Sequence, residues 1–195
     1  MIGVIRRASV PGTQARKARE YEPPMGANMD ADAKKTVLRM IPYGLYIMTA
    51  EDKNGEIAAA TVNWVTQTSF DPPLVVVGVK IESGAYEIAK RAGSFALNML
   101  GKDQQGLAFS FFKPAERDGH TINGEPYRSG DSGAPILENT PASVECRIEQ
   151  IVEMGDHHVF VGEVTGAELR KAPQGRADEA ILHMRELGEN VFYGG

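Results

Sequence analysis

The chain reads as short alternating runs of apolar and polar residues separated by turn signals, with few helical stripes. Asp30 is a good N-cap, and Val37, Leu38 and Ile41 share one face of a short helix that Pro42 ends. Strand formers over 43–49, a hairpin signal at Asp52-Lys53-Asn54-Gly55 and alternation over 57–66 predict a strand and its return. Pro72-Pro73 breaks the chain before 74–80, where Val75-Val76-Val77 predicts a strand buried on both faces or set in a barrel wall. Ser83 is placed to cap a helix containing Tyr86, Ile88 and Ala89, and Gly93 to end it. A strand over 95–100 and an amphipathic helix over 102–112 follow.

The stretch 113–135 is rich in Gly and Pro without hydrophobic period, which predicts a long functional loop. Two long alternating runs, 143–153 and 157–168, are joined tightly by Met154-Gly155-Asp156 as a second hairpin, and a last strand is expected over 181–185. About seven strands, two or three short helices and no alternating βαβ rhythm predict a mainly β chain, an antiparallel barrel.

Composition and charge narrow the chemistry. The single Cys146 forms no internal disulfide, and with 4 His the chain builds no four-cysteine zinc or iron–sulfur site from its own side chains; no metal and a reducing, cytoplasmic setting are expected. Its alternating surroundings, Val144 and Ile148, make Cys146 a packing residue rather than a redox thiol. No apolar run is long enough for a membrane helix, so no membrane partner is expected. The net charge of -5 argues against a nucleic-acid partner. It is unevenly spread: 1–29 carries five basic residues against two acidic ones, a basic N-terminal extension ahead of a single acidic domain, 30–195. No dinucleotide-binding glycine fingerprint, P-loop or nucleophile elbow is present. The hydroxyl cluster Thr61, Thr66, Thr68 and Ser69 is either a site for a polar or phosphorylated ligand or a Thr-rich strand before a proline turn.

Three segments carry a resemblance: Thr61-Val62-Asn63-Trp64-Val65-Thr66-Gln67-Thr68-Ser69-Phe70-Asp71-Pro72-Pro73-Leu74, Ser94-Phe95-Ala96-Leu97-Asn98-Met99-Leu100, and Gly155-Asp156-His157-His158-Val159-Phe160-Val161-Gly162-Glu163-Val164. In order and spacing they resemble the flavin reductase-like, FMN-binding split-barrel family, over residues 35–187. The resemblance implies an antiparallel FMN-binding split β-barrel that pairs as a homodimer and holds FMN, or exchangeable FAD, near the subunit interface. It implies further that Asn63, Trp64, Val65 and Thr66 line the flavin ring and ribityl chain, with Thr68 and Ser69 nearer the ribityl or phosphate. Lys80 and Ser83, at a strand end and helix N-terminus, suit the phosphate, although Lys80 reads equally as a solvated strand end. Asn98 meets either the flavin or a barrel-closing hydrogen bond, and Lys113 either closes over the phosphate or is a helix-terminal cation.

Strand alternation sends His157 and His158 to opposite faces. Family position favours His157 as the catalytic residue, docking the nicotinamide or relaying a proton, while His158 stays at the surface or an interface. His183 and the Phe192-Tyr193 tail either reach a neighbouring subunit's site or belong to a packed C-terminal strand. The expected activity is an FMN-binding flavin reductase that moves a hydride from NAD(P)H to flavin and on to free flavin, oxygen, a ferric chelate or a protein acceptor. The alternatives are a flavoredoxin-like electron carrier with no nicotinamide site of its own, and an accessory flavin-binding module.

Overall fold

Eleven strands and three α-helices build the chain over residues 29–194, which the computed structural model describes. The predicted basic extension lies outside the described residues except for Met29. In chain order the elements are α1 (Ala31–Arg39), β1 (Tyr46–Glu51), β2 (Ile57–Val62), β3 (Val65–Phe70), β4 (Pro73–Lys80), α2 (Gly84–Ala92), β5 (Ser94–Met99) and α3 (Gln105–Ser110). Four short strands follow, β6 (Arg117–Asp118), β7 (Thr121–Ile122), β8 (Glu125–Ser129) and β9 (Pro135–Leu137), then the long pair β10 (Ala142–Val152) and β11 (His157–Leu169).

Seven strands form one antiparallel sheet in the order β2-β1-β5-β10-β11-β4-β3. Its outermost strands, β2 and β3, are consecutive in the chain and joined only by Asn63 and Trp64. Two linking residues span about 10 Å at most, so the edges of a seven-stranded sheet must curl round to meet. Trp64 O accepts from Gly78 N at 2.9 Å, extending the β3–β4 ladder by one residue and leaving the break on its β2 side. The barrel is therefore split at the β2/β3 seam. The continuous strand expected over 57–66 is thus two strands on opposite edges; alternation runs through the break, and only closure of the sheet dictates it.

Period-two alternation sorts the core into two clusters. Met48, Ala50, Val77, Phe95, Leu97, Cys146 and Phe160 fill the barrel interior, and α2 adds Ala85, Tyr86 and Ala89 to that cluster. Leu45, Ile47, Leu100, Phe111, Ile122 and Leu137 form the second cluster, between the sheet, α3 and the short strands. At Gly162 a Cβ would lie 2.8 Å from Phe95 Cζ and 2.9 Å from Cys146 Cβ, so the interior there admits only hydrogen.

Several expectations change. Segment 113–135 is no open loop: β6 to β9 make a four-stranded meander whose strands are too short to show a hydrophobic period. Asn98 fastens it to the barrel. Its Oδ1 accepts from Leu137 N at 2.9 Å, and its Nδ2 donates to Ile47 O at 3.1 Å and to Thr49 Oγ1 at 3.2 Å. Thr49 Oγ1 in turn donates to Pro135 O at 2.5 Å. The helix expected over 102–112 is the shorter α3. The strand expected over 181–185 is reduced to single bridges, Gly44 with His183 and Gly101 with Ile181, before a 3-10 turn at Met184–Leu187. Asp30 does cap α1, its Oδ1 accepting from Ala33 N at 2.7 Å, yet Val37, Leu38 and Ile41 remain exposed. Among the described residues no helix is long and apolar enough to cross a membrane, and no cluster of metal-ligating side chains occurs.

Two outcomes follow from this packing. Asn98→Ala strands the buried Leu137 amide and cuts the link to Thr49, and should lower unfolding free energy by about 2–4 kcal/mol in urea titrations. Burial, reinforced by the neighbouring Glu145 charge, pushes the Cys146 thiol up to about 12. Iodoacetamide at pH 8 should therefore leave native Cys146 unmodified and alkylate it in urea.

Candidate functional site

The seam brings four chain segments together. Asn63, buried, follows β2, and Trp64 lies over Gly78 of β4, where a Cβ would come within 3.1 Å of the indole Cε3. Lys80 ends β4 opposite His157, which begins β11 in the antiparallel register. Ser83 precedes α2. Its hydroxyl donates to Lys80 O at 2.6 Å and makes no cap bond, so the first amides of α2 keep no side-chain partner from it.

Asn63, Lys80, Ser83 and His157 line one cavity of about 370 Å³, with Thr61 and Phe111 among its walls. A broader cleft of about 1000 Å³ lies alongside, lined by Trp64, Val65, Thr66 and His157 and by Lys34, Leu38 and Ile41 from the α1 side. Gly78, His157 and Tyr193 belong to both and form the partition between them.

His157 is the best-held side chain of the partition, with 12% of its side chain exposed. Its Nδ1 lies 2.9 Å from Asp156 Oδ1 and its Nε2 2.6 Å from Tyr193 Oη, and its ring centroid is 4.5 Å from that of Trp64. The hydrogen bond from His157, and then its charge, hold the Asp156 carboxyl below its ordinary value. Burial raises the Tyr193 phenol above its own, against the pull of the Lys80 charge, so Tyr193 stays a donor at neutral pH. With Nδ1 turned to the carboxylate, Nε2 faces that phenol. His158 turns the other way, as alternation predicts, with Nδ1 2.7 Å from Tyr86 Oη.

The structure does not bring every predicted residue to this place. Thr68 and Ser69 sit on edge strand β3 and line neither cavity, because β3 continues as a strand where a loop was expected. Asn98 is fully buried and bonded to protein partners, serving the barrel rather than a ligand. Lys113 is exposed beyond α3 and lines neither cavity. Val65 and Thr66 line only the broader cleft.

The tail is the main residue group that sequence reasoning left undecided: it covers this chain's own cavities. Asn63 Nδ2 donates to Tyr193 O at 3.2 Å, Arg39 Nε donates to Gly194 O at 3.1 Å, and the Arg39 guanidinium stands 4.3 Å from the Phe192 ring centroid. A Tyr after an apolar aromatic at the end of the chain was the one visible signal. Trp64 Nε1 is buried without a hydrogen-bond partner among the described residues. The Asn63 amide, Lys80 and the start of α2 give the smaller cavity a donor-rich lining, while Trp64 belongs to the broader cleft. This suits a flat ligand with carbonyl acceptors and an anionic end, and FMN has both.

Comparison with known proteins gives the same reading. A sequence model of the flavin reductase like domain matches residues 38–187. A flavin reductase of Pseudomonas putida is 31% identical over 151 residues, covering 77% of this chain and 84% of that one. An NADH-dependent flavin reductase of Pseudomonas fluorescens is 29% identical over 152 residues, covering 77% and 86%. The chain spans less than half, 44%, of a longer probable flavin reductase of Rhizobium meliloti (strain 1021) that is 35% identical to it. The solved styrene monooxygenase flavin reductase of Pseudomonas putida S12 superposes with a TM-score of 0.60 at 28% identity, covering 70% of this chain and 87% of that one.

Proposed function

The chain belongs to the flavin reductase-like domain family, and from that premise we propose that it is an NAD(P)H-dependent flavin oxidoreductase working with FMN, or with FAD in its place. The observation that carries this reading is the pair of cavities meeting at His157, one of them with an anion-favouring end at Lys80, Ser83 and α2. When bound, the flavin supplies a ring that takes a hydride from nicotinamide and passes electrons to an acceptor such as free flavin, oxygen, a ferric chelate or a partner protein.

The residues of this chain bind, orient and exclude. Asn63 offers a side-chain donor to a carbonyl oxygen of a flat ring. Lys80 and the α2 amides hold a phosphate, the helix dipole adding to the Lys80 charge. Phe111 and Val62 keep water from the apolar floor. His157, oriented through Nδ1 by Asp156, presents Nε2 to whatever lies in the partition, and there it docks the nicotinamide carboxamide or carries a proton. Alignment of two rings is the main service asked of the protein.

The reading extends to a single domain over 30–195, a homodimer and a cytoplasmic location. Support for the dimer is the exposed apolar face of α1, with Val37, Met40 and Ile41, together with Phe70, 90% exposed at the end of β3. Support for the location is the lone buried thiol.

Anaerobic mixing of the FMN-loaded protein with NADH and with NADPH should bleach the oxidised flavin band with at least one of them; bleaching with neither overturns the proposal. Ser83→Phe should weaken FMN binding about tenfold or more in fluorescence titrations, with the far-ultraviolet circular dichroism retained. His157→Ala should slow flavin reduction by nicotinamide about tenfold or more and change the FMN dissociation constant less than about threefold.

A further inference from the structure

Tyr193 stands in the partition that a second ring must enter. It touches His157 Nε2 through its hydroxyl, and its ring centroid lies 5.5 Å from Trp64 and 5.7 Å from His157. The two cavities are separate where Gly78, His157 and Tyr193 meet. Of these three only Tyr193 lies outside the sheet, and its withdrawal joins the cavities into one cleft.

We propose that the C-terminal tail, residues 191–194, holds the place of the reductant's nicotinamide, with Tyr193 as its stand-in, so that a dinucleotide binds by displacing the tail. The proposal rests on the nicotinamide-dependent reading above. Tyr193 offers His157 Nε2 a polar group on a flat ring, and a nicotinamide carboxamide does the same. Gly194 is held through its carbonyl by Arg39, and Phe192 lies under the same guanidinium. Departure of the tail frees that guanidinium, a group suited to a pyrophosphate.

The closed tail is held and yet incomplete. Three hydrogen bonds secure it, from Asn63 and Arg39 and to His157. Against them stands the buried Trp64 Nε1 with no acceptor, although the Cβ position of Gly194 is only 3.6 Å away. An unmet buried donor disfavours closure, and a carboxamide oxygen would meet it. A hinge is available as well. Gly188 has φ 127, open to glycine and strained for other residues, and accepts from Val191 N at 3.2 Å.

The test compares the full chain, the chain ended at Asn190, and Tyr193→Phe in the full chain. FMN affinity is read by fluorescence, NAD+ affinity of the FMN-loaded proteins by calorimetry, and NADH kinetics by flavin bleaching. A site competent only with the tail open binds more weakly by the open fraction. The shortened chain should therefore bind NAD+ about fivefold or more tightly and show a similarly lower KM for NADH. Tyr193→Phe, which keeps the tail and its backbone contact to Asn63, should gain about two- to threefold in NAD+ affinity while its FMN affinity stays within about a factor of two. NAD+ should also speed removal of C-terminal residues from the full chain by carboxypeptidase Y. Equal or weaker NAD+ affinity in the shortened chain overturns the proposal, as does a gain in FMN affinity in place of NAD+. Should the shortened chain not fold, Tyr193→Phe with unchanged NAD+ affinity and carboxypeptidase cleavage insensitive to NAD+ overturn it. Bleaching of the full chain with no effect of truncation sinks the tail alone, whereas no bleaching of any of the three proteins sinks the reductase reading beneath it.

Discussion

Two residues decide the architecture. Asn63 and Trp64 are all that separates strands lying at opposite edges of a seven-stranded sheet, so the sheet has no option but to close, and to close with a seam. The seam is where backbone polar groups would otherwise lack partners. On the β3 side Gly78 N carries the β3–β4 ladder on to the Trp64 carbonyl, and Gly78 has no side chain because the indole lies against that position. The cavities lie beside this break, where strand pairing stops.

Around that seam each side chain has one task and one support. Asp156 turns His157, β4 and β11 hold His157 level with Lys80, and Ser83 spends its hydroxyl on Lys80 O instead of on the helix it precedes. An uncapped helix start is a cost in stability of about 1 kcal/mol. It becomes useful when an anion supplies what the cap does not. The polar staple deeper in the barrel, Asn98 with Thr49, keeps the meander in place without contributing to the site.

Much of this was legible in the sequence, and the misses have physical reasons. The long hairpin of β10 and β11, α2 with its Gly93 stop, and α1 with its Asp30 cap are local patterns, and local patterns announce themselves. Gly93 ends α2 in the left-handed conformation expected of it. The break at Asn63-Trp64 is a tertiary event, invisible to alternation because the period continues through it. The meander within 113–135 escaped because strands of two to five residues are too short to show a period. Of the residues chosen from motif and element ends, His157, Asn63, Lys80 and Ser83 come together around one cavity. Asn98 stayed open between two readings, because a polar residue in an apolar strand says that a partner exists and not whether it is ligand or backbone; its partners are protein groups.

The net charge illustrates how little a total says about a site. An acidic protein can hold an anion if the field is local, and the means here are a helix start and one lysine, itself 3.2 Å from Glu82. A surface ion pair of that kind is worth little in water and yields readily to a better partner. The tail obeys the same rule on the other side of the partition. Arg39 spends its guanidinium on a carbonyl and a ring face, neither of which carries a charge. Lys80 in the smaller cavity and Arg39 beneath the tail, each engaged by a weak partner, leave the protein charge to offer when an anionic ligand arrives, and keep it occupied until then.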